Sequence, residues 1–145
     1  MLRRVGGPEE RGTGTEQSSF EFAYPLHPSS ARVARRVVLG ACRFWRVGEA
    51  GDSAALTVSE LVANAVRAGR GEQLLLRLSY TPRRLRVEVC DEAPEEPRLR
   101  AANTSAENGR GLWIVSALAV RWGTKMLQHG KCVWAEFALP NHRYA

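Results

Sequence analysis

In the stretch SELVANAV, Glu60 and Asn64 stand four residues apart within an otherwise apolar run. On a helix that spacing projects both side chains from one face. Carboxylate and amide oxygens suit a hard cation such as Mg²⁺, which keeps most of its waters and takes only one or two protein ligands. Asn64 can hold such an ion, and Glu60 can orient or deprotonate a nucleophile. Asp91 closes the apolar run LRVEVCD, just ahead of a loop with two prolines. A carboxylate placed there can accept a hydrogen bond from the amino group of a base. The third feature is NGRGLWIV, residues 108–115. Glycine lets a backbone come close to a ligand. The first N–H groups of a helix lack intrahelical partners and favour anions. Asn108, Gly109, Arg110, Gly111 and Leu112 can therefore cradle phosphate, with Arg110 adding charge. Singly, each feature has a plain alternative: a solvated helix face, a turn-forming aspartate, a loop-to-helix hinge. Together they are what a Mg²⁺-nucleotide site needs.

The elements that must position these residues can be read from patterning. Residues 1–18 mix Gly, Pro, Thr and charge without periodicity, and are expected to be a disordered tail ahead of a domain at 19–145. SFEFAYPL alternates Phe20, Phe22 and Tyr24, a strand ending at Pro25. The next stretch places Ala31, Ala34, Val38, Ala41 and Phe44 at helical spacing, with Ser29 or Ser30 as the expected cap. A second helix carries Glu60 and Asn64. Asp52 or Ser53 is expected to cap it, and Gly69 and Gly71 to stop it. LLLRLSYT and RLRVEVCD form a hairpin turning at Pro82 and Arg83. A long polar loop leads to a third helix, GLWIVSALAV, and a last strand pair turns near His129-Gly130. The order β-α-α-β-β-loop-α-β-β predicts an α+β fold: a two-layer sandwich of a mostly antiparallel sheet with helices on one face.

The 145 residues suffice for one domain with a real core. No apolar run reaches the ~20 residues that span a bilayer. The N-terminus has no apolar segment of the signal-peptide kind, so a cytoplasmic protein is expected. The net charge of +6 raises nucleic acid as a partner. The basic residues are scattered, however, and nearly all are arginine, with Lys125 and Lys131 the only lysines. Cys42, Cys90 and Cys132 are odd in number and widely spaced, which favours small core residues over a disulfide framework or a zinc site. Trp45, Trp113, Trp122 and Trp134 are likewise expected in the core.

The three motifs resemble those of the GHKL ATPase superfamily, which includes gyrase, heat-shock chaperone, histidine kinase and mismatch-repair ATPases. ELVANAV resembles its N box, VEVCDEAP its first glycine box and NGRGLWIV its second. RVEVCDEAPEEPR, GRGLWIVSALAVRWG and GKCVWAEFALP are similar, more narrowly, to the RsbW-like anti-sigma factor serine/threonine kinases of actinobacterial type. The likeness spans about residues 19–140. It implies a Bergerat-type ATP-binding fold with ATP and Mg²⁺ as ligands. It implies that Asn64 ligates Mg²⁺, Glu60 is the general base, Asp91 binds the adenine amino group, Gly109, Arg110 and Gly111 contact phosphates, and residues 95–108 form a lid. The implied reaction is phosphoryl transfer to a Ser or Thr of a STAS-type anti-anti-sigma protein, with a sigma factor held or released accordingly. Dimerisation through the first strand and helix is implied too. The chain departs from the pattern where Asp91 is followed by Glu92-Ala93-Pro94 rather than by glycines, and where AVRAG, with Arg67, stands in place of the histidine that relatives carry near Ala68. A partner-capturing module without kinase activity is the alternative that these departures leave.

Overall fold

The computed structural model describes residues 2–3, 17–93 and 114–140. Its elements are β1 (Leu2–Arg3), β2 (Ser18–Pro25), α1 (Ser29–Phe44), α2 (Gly48–Ala68), β3 (Gln73–Thr81), β4 (Arg84–Asp91), α3 (residues 114–118), β5 (Arg121–Leu127) and β6 (Gly130–Ala138). The sheet runs β1-β2-β3-β4-β6-β5, with every neighbouring pair antiparallel. The expected two-layer α+β architecture is what is observed. Within the segment expected to be disordered, Leu2 and Arg3 pair with Phe22 and Glu21 as a short edge strand.

The helices begin differently from expectation. Neither serine caps α1; Pro28 takes the N-cap position, and the Ser30 hydroxyl donates to the Pro25 carbonyl at 2.7 Å. α2 starts a turn early, at Gly48, so Asp52 and Ser53 lie inside it. Burial explains the shift. Trp45 and Val47 are anchored in the core between the helices, and the first turn closes on Val47, whose carbonyl accepts from the Ala50 N–H at 3.0 Å. Gly51 then sets α2 close to α1, since a β-carbon there would lie 3.4 Å from the Leu39 side chain. Gly69 does stop α2: it adopts φ 63°, and its N–H returns to the Ala65 carbonyl.

Strand alternation defines the two faces of the sheet. Leu74, Leu76 and Leu78 of β3, Leu85, Val87 and Val89 of β4, and Val133, Ala135 and Phe137 of β6 are all buried. With Val38 of α1 and Val58, Leu61 and Val62 of α2 they form one core. Each such large aliphatic side chain contributes about 1.5–3 kcal/mol by leaving water.

The opposite phase carries charge. Glu21, Arg77, Glu88, Arg86, Glu136 and Arg121 form a chain of ion pairs across β2, β3, β4, β6 and β5, at 3.1–4.0 Å. Trp134 belongs to this face, not to the core as expected. The Arg86 guanidinium lies 4.4 Å from its ring centre, and Arg121 lies at 5.8 Å. Strand phase decides this: Trp134 sits opposite Glu88, between the inward-facing Val133 and Ala135. Trp45 and Trp122 do belong to the core or pack on it, and Trp113 lies outside the described residues.

Of the three cysteines, one meets expectation and two depart from it. Cys42 is a free, buried core thiol that burial and the nearby Glu49 push up to about 11, and it is correspondingly inert. Cys90 and Cys132, however, are joined as a disulfide. They are direct cross-strand partners in β4 and β6, a juxtaposition that 42 residues of separation conceal.

Candidate functional site

α2 packs over the inward faces of β4 and β6. The apolar spacing of Val58, Leu61, Val62 and Ala65 fixes which side of the helix meets the sheet. Glu60 and Asn64 therefore sit at the margin of that interface, each half-buried. Asn64 is already engaged: its Oδ1 accepts from the Arg67 guanidinium at 2.5 Å. A single amide oxygen on a helix fits Mg²⁺, which needs few protein ligands. The Arg67 guanidinium at that oxygen would repel a divalent cation, so ligation calls for the exposed Arg67 side chain to move aside.

Asp91, at the end of β4, points to the helix side of the sheet and is buried. Its partner is Lys131, directly opposite on β6 and 5% exposed. Lys131 Nζ donates to Asp91 Oδ1 at 3.0 Å and to Oδ2 at 3.2 Å. The Ala93 N–H donates to Oδ1 at 2.8 Å, which turns the chain at the Asp91–Ala93 step without the glycines found in the superfamily's usual pattern. Asp91 is thus held in place by three hydrogen bonds that its two oxygens accept. Among the described residues Oδ2 accepts from Lys131 alone, which leaves it able to accept from the amino group of a base.

Lys131 was not among the residues singled out from the sequence. A signal was present: positions 131, 133, 135 and 137 share the buried phase of β6, so a lysine stands where the strand otherwise faces the core. A buried ammonium needs a partner, and Asp91 supplies it.

A glycine sets the spacing here. Gly130 opens β6 at φ 112°, and a β-carbon there would overlap the Asp91 carbonyl oxygen and lie 2.8 Å from Glu92 Cα. Both obstacles are backbone, so neither can swing aside. We expect Gly130→Ala to cost about 2–3 kcal/mol, from left-handed strain and the displaced strand end. Thermal unfolding would check this, and an unchanged midpoint would contradict the tight approach.

Glu60 and Asn64 lie on α2, and Asp91 ends β4, one of the strands that α2 packs against. Asn108, Gly109, Arg110, Gly111 and Leu112, and the lid segment 95–108, lie outside the described residues. Val115, three residues beyond Leu112, is fully buried and anchors the start of α3 in the core. A recess at the strand ends, lined by Ala23, Leu74, Leu75, Cys90, Asp91 and Glu92, reaches Asp91 from the β3 side.

The open antiparallel sheet with two long helices on one face is an α+β domain, with Glu60 and Asn64 on one helix and Asp91 at the end of β4. The family profile described as "Histidine kinase-like ATPase domain" matches residues 24–137, and the chain belongs to that family. No curated protein matches the sequence. Membership of an ATPase family implies ATP as the ligand. No helix among the described residues is long and apolar enough to cross a membrane.

Proposed function

We propose that this protein is an ATP-dependent serine/threonine-protein kinase and anti-sigma factor of the RsbW-like group, acting on a STAS-type anti-anti-sigma partner. The observation that carries the reading is the buried Asp91 acceptor at the end of β4, the strand against which the helix bearing Glu60 and Asn64 packs. ATP would supply the phosphoryl group, and Mg²⁺ would screen its charge. Asp91 binds the base. Asn64, once released by Arg67, offers its amide oxygen to the metal. Glu60 takes the proton from the acceptor hydroxyl. Asn108 to Leu112 are the proposed phosphate contacts. A homodimer and a cytoplasmic setting belong to the same proposal.

Glu60→Ala tests it. Transfer of labelled phosphate from ATP to a STAS partner is expected to fall about 10²–10⁴-fold, the usual contribution of a general base. Absence of transfer by the wild-type protein to any STAS candidate would sink the kinase reading. Two observations favour the alternative, a module that controls its partner by stoichiometric capture: Asn64 is held by Arg67, and no glycine follows Asp91. Under that reading Glu60→Ala leaves regulation intact.

A further inference from the structure

We propose that Lys131 is a second base-reading residue beside Asp91, and that the pair selects a 6-aminopurine by presenting one acceptor and one donor to its edge. This rests on the nucleotide-binding reading above.

An ionised carboxylate offers about four lone-pair positions. Asp91 Oδ1 accepts from Lys131 Nζ at 3.0 Å and from the Ala93 N–H at 2.8 Å. Among the described residues, Oδ2 accepts from Lys131 alone, at 3.2 Å. One lone pair of Oδ2 therefore remains. Lys131 carries three N–H donors, and contacts to two oxygens of one carboxylate consume at most two of them. An acceptor and a donor thus lie side by side at the ends of β4 and β6.

That arrangement has a chemical complement. Adenine presents an amino donor at C6 next to the ring acceptor N1. With the amino group on Asp91 Oδ2, N1 is the atom that can accept from Lys131. Guanine in the same register would set its O6 against the carboxylate and its N1–H against the ammonium, two repulsive contacts in place of two attractive ones. Burial raises the stakes, because Asp91 and Lys131 side chains are only 4% and 7% exposed and water cannot repair a mismatch. A lysine serving only to neutralise Asp91 would leave N1 unread.

The test changes the ligand first, so that folding is not at issue. Wild-type protein is titrated calorimetrically with ATP, with 1-deaza-ATP (N1 replaced by C–H, the amino group kept) and with GTP. The expected result is about tenfold weaker binding of 1-deaza-ATP, the loss of one hydrogen bond, and still weaker binding of GTP. Lys131→Met, checked for folding by circular dichroism, is then expected to bind ATP and 1-deaza-ATP equally. Equal binding of the two nucleotides by the wild type would overturn the proposal. So would a penalty that persists in a folded Lys131→Met, because a water or another group would then be reading N1. If the wild type binds no nucleotide at all, the nucleotide-binding reading itself falls and takes this one with it.

Discussion

Replacing Asp91 by alanine is expected to destabilise the fold by about 3–5 kcal/mol and to abolish nucleotide binding. The stability loss comes from Lys131, which is 5% exposed and has Asp91 as its ion-pair partner. Removing one member of a buried pair strands the other charge away from water, and that costs more than the pair ever contributed. The double variant Asp91→Ala/Lys131→Met is expected to recover most of the loss, because both charges leave together and a methionine fills the lysine's volume. Binding is not expected to return in the double variant, since no acceptor remains for the base. Urea unfolding gives the stability terms and calorimetry gives the binding. A single variant as stable as wild type would show that Lys131 does not depend on Asp91.

The second large effect concerns the bond between Cys90 and Cys132. It closes a loop of 42 residues, for which the chain-entropy treatment gives about 4 kcal/mol of stabilisation. The segment it closes includes α3, β5 and residues 108–112, so the unfolded chain gains much freedom when the bond is cut. Reduction, or Cys90→Ser with Cys132→Ser, is expected to lower the unfolding midpoint by on the order of 10 °C. Thiol titration of the denatured protein supplies the covalent check: one reactive thiol, Cys42, before reduction and three after. Three thiols without reductant would remove the bond from the account. The disulfide also bears on the site. Cys90 directly precedes Asp91, and Cys132 directly follows Lys131. The covalent link therefore holds together the two strand positions whose neighbours form the buried ion pair.

Much of this fold was legible in the sequence because its signals are local. Alternation in SFEFAYPL and RLRVEVCD predicts strands, and each turns its apolar phase to the core. The hairpin at Pro82-Arg83 and the stop at Gly69 depend on residues that act within a few positions of themselves. Glu60 and Asn64 were legible for the same reason, since helical periodicity alone puts them on one face. The helix starts were less legible. Serines and an aspartate offer caps wherever they stand, but the buried Trp45 and Val47 decide where α2 begins.

What the sequence by itself determined is the set of elements, their antiparallel two-layer arrangement and the identity of the polar residues at the α2–sheet interface. Tertiary structure alone decided that β6 inserts between β4 and β5, and three consequences follow from that one pairing. Cys90 meets Cys132, Asp91 meets Lys131, and Trp134 is turned to the charged face across from Glu88. Each is a contact between residues some forty positions apart in the chain. Alternation fixes which face of its own strand a residue occupies, but only the register of two paired strands fixes what it will touch.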